Sequence, residues 1–362
     1  MKTPAPRWIC LQLVQDCNLR CRMCYEWGTT GVHKTAIRPR ELAFDVVARI
    51  IDEVAAYRPH FDLFGGEPLL YPRIAEVVRL IKERGCSLDI ATNGTRLGAL
   101  ADELVDAAVD RVWVSIDGPE PINDHQRGRG TFQSVLGGLA ALRASRARRP
   151  GGRPQVGVTY VVTPLNHHAI AETFLTALEP RWLDLISIEY QSFLTAGQLQ
   201  GYDQLLRERF HTRTGVRFAA GLLRDPAEFA GIDTAAVARQ IAEVRGVYEA
   251  AGRRVLTRPR VTTAENGAAY FAGRFEEMAD YHPRCVFPWL YAEVAASGDV
   301  TPCHSFYDLT FGNVNQHPLL EIWRSERFEA ARRFFKGSLS PVCQACCLYH
   351  TAAEGPPGAD RP

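Results

Sequence analysis

Residues 8–25, WICLQLVQDCNLRCRMCY, contain both the first strand of the predicted fold and its most informative cysteines. The run WICLQLV at 8–14 is short, apolar and bounded by polar residues, as is typical of a buried strand. Cys17, Cys21 and Cys24 follow directly after it. In barrels of parallel strands, the loops after the carboxyl ends of the strands form the active site. The three cysteines therefore lie where catalytic groups are expected.

Strand-like and helix-like segments alternate along the first half of the chain. Further buried-strand patterns occur at 61–64, 88–92, 111–117, 156–163 and 184–191. Amphipathic helical patterns separate them, at 41–57, 73–85, 101–108, 131–148 and 167–180. This alternation predicts an α/β fold, a parallel sheet closed or partly closed into a barrel of six strand–helix units, over residues 5–195.

Composition narrows the class of protein. Of 362 residues, 46% are hydrophobic and 23% are charged, which is typical of globular proteins. The net charge of +1 gives no overall attraction to nucleic acid or to an anionic membrane, so we expect neither as a partner. The N-terminal apolar run is too short for a signal peptide. Eight of the ten cysteines fall in two groups, which is typical of metal ligands in a reducing compartment. We expect a cytoplasmic protein.

The first cysteine group has the spacing C-x3-C-x2-C. Three thiolates can hold three irons of a 4Fe-4S cluster and leave the fourth iron open to a small molecule. The alternative is a structural zinc site, which needs four ligands. The nearest histidine, His33, lies across a loop from the cysteines, so the spacing favours the cluster.

The motif Cys17-Asn-Leu-Arg-Cys21-Arg-Met-Cys24 resembles that of the radical S-adenosylmethionine (SAM) superfamily. A second motif of this family stands after the second predicted strand as Gly65-Gly66-Glu67-Pro68. The resemblance implies that backbone groups of this motif and Glu67 bind the amino group of the methionine moiety. It also implies that Met23 or Tyr25 lies against the adenine.

Polar residues at the ends of later strands match the family more weakly. The resemblance implies contacts of such residues with the ribose or the carboxylate of the cofactor, although each could equally cap a turn. The candidates are Asn93, Ser115, Asp117, Arg127 and Glu189.

The second cysteine group lies near the C-terminus. Its members are Cys285, Cys303, Cys343, Cys346 and Cys347. The segment WLYAEVAASGDVTP at 289–302 predicts a β-hairpin that brings Cys285 and Cys303 together. Cys343 and Cys346 would complete a four-thiolate site, for which zinc and 4Fe-4S are both possible from the residues alone.

The pattern C-x12-G-x4-C followed by C-x2-C resembles the Twitch version of the SPASM extension. The resemblance implies one auxiliary 4Fe-4S cluster, held by Cys285, Cys303, Cys343 and Cys346, and two clusters in total. Cys347 is then a spare thiol, a substitute for Cys346, or a hydrogen-atom donor to a substrate radical.

These motifs divide the chain into four predicted parts. They are the radical SAM partial TIM-like barrel at 1–195, a bridging or capping segment of uncertain fold at 196–283, a small α+β iron-sulfur module at 284–350 and a disordered tail at 351–362. We expect residues 189–200 and 253–283, with the module, to line the substrate cavity.

The resemblance implies an enzyme of the oxidoreductase or lyase type that reductively cleaves SAM to a 5′-deoxyadenosyl radical. An electron donor such as flavodoxin or ferredoxin is then required. The cysteine loop begins at residue 17, which leaves no space before it for a peptide-binding domain. We therefore expect a small polar substrate of antibiotic-type biosynthesis, an aminoglycoside or a nucleoside sugar, that is oxidised, epimerised or coupled through carbon. The alternatives are a maturase of ribosomal peptides, a nucleic-acid modifying enzyme and a purely structural metal-binding protein.

Overall fold

The computed structural model describes residues 3–33, 40–149, 151–212, 218–304, 306, 308–347 and 349–351. The β-strands are β1 Trp8–Val14, β2 His60–Gly65, β3 Ser87–Thr92, β4 Arg111–Ser115, β5 Gln155–Val162, β6 Leu185–Tyr190, β7 Arg254–Arg258, β8 Tyr291–Val294, β9 Asp299–Thr301 and β10 Gly312–Asn313. The α-helices are α1 Phe44–Val54, α2 Ile74–Glu83, α3 Ala101–Asp106, α4 Glu120–Arg127, α5 Thr131–Ala147, α6 Ile170–Glu172, α7 Ala196–Phe210, α8 Thr234–Ala250, α9 Ala264–Phe271, α10 Leu319–Trp323 and α11 Glu326–Phe335. Residues 352–362 of the predicted disordered tail lie outside the described residues.

All ten strands form one sheet in the order β10-β9-β8-β1-β2-β3-β4-β5-β6-β7. Neighbouring strands from β1 to β7 pair in parallel, and β8 pairs in parallel with β1. The β8–β9 and β9–β10 pairs are antiparallel. The predicted α/β partial barrel with a small C-terminal module is therefore confirmed.

The core lies between the sheet and its helices. All seven residues of β1 are buried, as expected for a strand covered on both faces. In α1 the buried residues are Val46, Val47, Ile50, Ile51 and Val54. This spacing places them on one face of the helix, so α1 covers the sheet as an amphipathic helix.

The predicted helix at 167–180 is much shorter in the structure. A turn precedes it, in which the Asn166 side chain donates to Val161 O at 2.8 Å and accepts from Thr163 N at 2.7 Å. The Thr173 hydroxyl then donates to Ala169 O at 2.5 Å, in addition to the backbone bond from Thr173 N to the same oxygen at 3.0 Å. Helix α6 consequently begins at Ile170 and passes into a π-helix over Thr173–Ala177.

The predicted bridging segment at 196–283 contains helices α7, α8 and α9 and the strand β7. Strand β7 pairs in parallel with β6 and so adds a seventh parallel strand to the barrel sheet. The predicted hairpin at 289–302 is present as β8 and β9. Because β8 pairs with β1, the cysteine-rich module and the barrel share a continuous sheet.

Charged and polar side chains bond to one another near the amino ends of β1 to β4. Asp89 accepts from Arg111 Nε at 2.9 Å and from Trp113 Nε1 at 3.1 Å. His60 contacts Asp62 at 3.2 Å and Asp89 at 3.7 Å through Nε2. Asp89 and His60 are buried, so this network joins three adjacent strands by side chains as well as by the backbone.

No helix in the described part of the chain is both long enough and apolar enough to span a membrane.

We predict that Asp89→Ala lowers the free energy of unfolding by about 3–5 kcal/mol, because the Arg111 guanidinium would remain largely buried without its carboxylate. The matched control is Asp106→Ala, which removes an exposed ion pair with Arg149 and should cost no more than about 1 kcal/mol. Guanidinium denaturation followed by circular dichroism measures both. Equal losses in the two variants would contradict a supporting role for the buried network.

Candidate functional site

Each thiol of the first cysteine group has an N–H donor beside its sulfur. Leu19 N lies 3.4 Å from Cys17 Sγ, and Trp27 N lies 3.4 Å from Cys24 Sγ. Arg127 Nη1 lies 4.0 Å from Cys21 Sγ. Donors around cysteine sulfur stabilise the thiolate and tune iron-sulfur clusters. The residues present therefore fit an iron-sulfur cluster.

Burial governs the protonation of these thiols in the metal-free protein. It raises the pKa of Cys17 to about 12 and that of Cys24 to about 11, and it also raises the pKa of Cys21. The thiols are therefore protonated at neutral pH until a metal binds. Binding of metal by all three must release their protons.

The backbone around Gly66 packs directly on the cysteine loop. Gly66 N donates to Val14 O at 3.0 Å, and Glu67 N donates to Asp16 O at 2.8 Å. A Cβ atom at Gly66 would lie only 2.0 Å from Asp16 O. Glycine is required here by the close approach of two backbones, which fixes the segment immediately before Cys17.

The Glu67 side chain is fully buried and holds the ends of β2 and β3 together. Its carboxylate accepts from Leu69 N at 3.0 Å, Thr92 Oγ1 at 2.6 Å and Asn93 N at 2.7 Å. Burial raises the pKa of this carboxyl to about 7, against the effect of those bonds. The side chain predicted to bind the cofactor amino group is thus directed into the protein. Pro68, also buried, begins the short 3-10 helix that Glu67 caps.

Residues that follow β3 and β4 also contact the cysteine loop. Asn93 Nδ2 lies 3.8 Å from Cys17 Sγ and donates to Asn18 Oδ1 at 2.9 Å. Arg127, beside Cys21, pairs with buried Asp117 at 2.6 Å. Ser115 is half-buried at the end of β4, opposite Thr159 of β5.

Tyr25 points toward the C-terminal module. Its hydroxyl bonds His304 Nε2 at 2.6 Å, and its ring stands edge-on to Phe218. Met23 is half-buried in the cysteine loop. Of the two candidates for the adenine contact, Tyr25 is thus held by a hydrogen bond to the C-terminal module.

Sequence reasoning missed the polar groups that join the two cysteine regions. His304 Nδ1 lies 3.3 Å from Glu293 Oε1. The fully buried Glu293 also accepts from Tyr291 Oη at 2.8 Å and Gln12 Nε2 at 3.1 Å. Burial alone would lower the pKa of His304, but the Glu293 carboxylate outweighs it and raises this pKa to about 9. Of these residues, only Glu293 could have been found from the sequence, because it is a charged residue within an otherwise apolar strand.

The second group of thiols lies mostly buried. Cys303, Cys343 and Cys346 are buried, and Cys285 is half-buried. Cys346 N donates to Cys343 O at 3.1 Å, so these two thiols belong to one tight turn. Burial, and then the neighbouring Cys285, raise the pKa of Cys343. Burial raises the pKa of Cys285 to about 11.

Glu189 lies at the end of β6, on the far side of the barrel from the cysteine loop in strand order. It forms an ion pair with Arg258 of β7 and accepts from Ser187 Oγ at 2.9 Å. A hydrogen bond with Cys346, then burial and the charge of Glu189, raise the pKa of Cys347. Cys347 therefore belongs with the second cysteine group through Cys346, and the charge of the barrel residue Glu189 acts on its thiol.

Two family models and several curated proteins match this chain in sequence. The family model for the radical SAM superfamily matches residues 11–177, and the model for SPASM, an iron-sulfur cluster-binding domain, matches residues 285–347. The chain is 25% identical to the tungsten-containing aldehyde ferredoxin oxidoreductase cofactor-modifying protein of Pyrococcus furiosus, over 94% of this chain and 87% of that protein. It is 28% identical to the AdoMet-dependent heme synthase of Methanosarcina barkeri, over 98% and 94% of the two chains.

Solved structures show the same fold. Streptococcus suis SuiB bound to S-adenosylmethionine matches with a TM-score of 0.62 and 15% identity, over 95% of this chain and 71% of that chain. Native anSMEcpe with bound AdoMet matches with a TM-score of 0.60 and 17% identity, over 95% and 88% of the two chains.

We predict that Gly66→Ala weakens SAM binding by more than about tenfold, because the added methyl group must push the backbone at Asp16 away and displace the cysteine loop. The control is Gly137→Ala in α5, where a Cβ would meet no atom within 4 Å. Equilibrium binding of SAM to the anaerobically reconstituted variants measures the effect. Equal affinities of the two variants would show that this close approach does not position the site.

Proposed function

We propose that this radical SAM protein, with its C-terminal SPASM domain, cleaves SAM reductively and removes a hydrogen atom from a small polar substrate. The two domains imply 4Fe-4S clusters and SAM as its cofactors. When bound, a cluster with an open iron and SAM supply a 5′-deoxyadenosyl radical to such enzymes. The observation that carries the proposal is the cysteine loop with an N–H donor at each sulfur, packed against Gly66.

The chain's own residues bind and orient the cofactor. We assign the three irons to Cys17, Cys21 and Cys24. The backbone at Gly65 and Gly66 is the better candidate for the amino group, since the Glu67 carboxylate already accepts three protein donors.

Other cofactor contacts follow from the same placements. We assign the adenine contact to Met23, since the Tyr25 hydroxyl is bonded to His304. Asn93 and Ser115 are candidates for the ribose or carboxylate. The Arg127–Asp117 pair positions Cys21, because Arg127 is buried and its guanidinium lies beside the Cys21 sulfur.

The second cluster is assigned to Cys285, Cys303, Cys343 and Cys346, which gives two clusters in total. Support comes from the burial of three of these thiols and from the interaction of Cys343 with Cys285. The effect of the Glu189 charge on the pKa of Cys347 supports a role at the substrate cavity, where its thiol could donate a hydrogen atom.

The proposed substrate site lies between the ends of β6 and β7 and the C-terminal module. Glu189 and Arg258 present a carboxylate and a guanidinium there, held by the buried Ser187 hydroxyl, which suits a small molecule rich in hydroxyl or amino groups. We propose an aminoglycoside or nucleoside sugar that is oxidised, epimerised or coupled in antibiotic-type biosynthesis. The full-length relatives are named for modifying a cofactor and for making haem, which supports a small organic substrate over a peptide.

The test is the rate of 5′-deoxyadenosine formation by reconstituted enzyme with dithionite and SAM. We predict that one of a panel of aminoglycosides and nucleosides raises this rate above the background without substrate. Arg258→Gln should then raise the KM for that compound by about tenfold, because it removes a charged hydrogen bond at the cavity. The control is Arg254→Gln, at the exposed start of the same strand.

Two outcomes would contradict the proposal. Absence of 5′-deoxyadenosine under all reducing conditions would exclude the radical reaction. Stimulation by cysteine-containing peptides but by none of the small molecules would favour the maturase alternative.

A further inference from the structure

A cluster of exposed cationic side chains surrounds the first cysteine loop. It draws on three segments of the chain: the cysteine loop itself, the loop after β3 and the end of α4. We call it the basic face, and its residues are Arg20, Arg22, Arg96 and Arg129.

Backbone and side-chain contacts hold these three segments together. Arg22 N donates to Gln126 O at 2.9 Å, and Arg22 Nε donates to His125 O at 3.0 Å. Asn18 Nδ2 donates to the hydroxyl of Thr95, next to Arg96, at 2.9 Å. A Cβ at Gly128, next to Arg129, would contact the Leu19 side chain at 4.0 Å. The four arginines therefore lie on segments that meet over the cysteine loop.

Positive charge exceeds negative charge on this surface. Among the described residues, the structure records no ion pair for Arg22, Arg96 or Arg129. Two carboxylates lie nearby: Asp16 accepts from Cys17 N at 2.8 Å, and Asp124 accepts from Phe132 N at 2.9 Å. Both keep their negative charge, so four arginines stand against two aspartates. In a protein of net charge +1, such a face is a local excess of positive charge.

The basic face lacks the features of a nucleic-acid site. Proteins that bind single strands combine basic residues with exposed aromatic rings on which bases stack. Here Trp27 is buried, and the Arg20 guanidinium covers its ring at 4.3 Å. The basic face is therefore suited to a partner that is recognised by its negative charge and not by base stacking.

We propose that the basic face docks an acidic one-electron carrier protein, of the flavodoxin or ferredoxin class, which reduces the cluster held by Cys17, Cys21 and Cys24. The inference rests on the proposed function. One electron leaves the reduced carrier, which is oxidised, and enters the cluster, with no bond formed between the proteins. Opposite charges accelerate such encounters and orient the partners, and the effect is strongest at low salt. The face lies directly over the cysteine loop, so docking there shortens the path of the electron.

The test is the double variant Arg96→Glu/Arg129→Glu in the full-length reconstituted enzyme. Neither residue contacts a cysteine sulfur. With a purified bacterial flavodoxin and its reductase as the reductant, we expect SAM cleavage to slow at least fivefold at low ionic strength. The difference from wild type should shrink as salt is added. With dithionite, which needs no docking, the variant should match wild type.

The control is Arg239→Glu, an exposed arginine of α8, which should leave both rates unchanged. Equal flavodoxin-supported rates in the double variant and wild type would overturn the inference. So would equal losses with flavodoxin and dithionite, since the face would then support the site itself. Binding of single-stranded RNA that the double variant loses, with flavodoxin support intact, would assign the face to nucleic acid. Failure of wild type to cleave SAM with dithionite would instead overturn the proposed function.

Discussion

The close approach of two backbones at the carboxyl ends of β1 and β2 is the constraint on which the site depends. Gly66 leaves no room for a side chain against Asp16, and Glu67 N bonds Asp16 O at 2.8 Å. The buried Glu67 carboxylate then extends the connection to Thr92 and Asn93 at the end of β3. The ends of β1, β2 and β3 are thus fixed relative to Cys17, which directly follows Asp16 in the chain. A cluster needs its thiols held in fixed positions, and this rigid arrangement supplies them.

The C-terminal module is part of the same structure rather than an attachment to it. Strand β8, which follows Cys285, is in register with β1, the strand that precedes Cys17, and β9, which precedes Cys303, pairs with β8. The Tyr25–His304–Glu293 hydrogen bonds add a side-chain connection between the two cysteine regions. Any substrate cavity between them is therefore bounded by two regions whose separation is set by the sheet.

Local patterns in the sequence predicted much of this arrangement. Cysteine spacing, the position of Gly65-Gly66 after a strand and the strand–helix alternation each rest on residues close together in the chain. The β8–β1 pairing and the Tyr25–His304 bond depend on residues about 280 positions apart, for which one sequence gives no pairing signal. The inward direction of the Glu67 carboxylate was missed because the motif predicts a loop but not which way a side chain turns. The helix predicted at 167–180 begins later in the structure, after a turn held by the Asn166 side chain, whose bonds a periodicity argument does not weigh.

The central claim is that the loop of Cys17, Cys21 and Cys24 holds the one cluster that binds SAM, while the C-terminal thiols hold a second, closed cluster. Electron paramagnetic resonance of the dithionite-reduced protein, with and without SAM, tests it most directly when combined with an iron count. We predict about eight irons per chain and a SAM-dependent change in one signal. The Cys17→Ala/Cys21→Ala/Cys24→Ala variant should keep about four irons, with a signal that SAM does not alter. A SAM-dependent signal that persists in this variant would contradict the account.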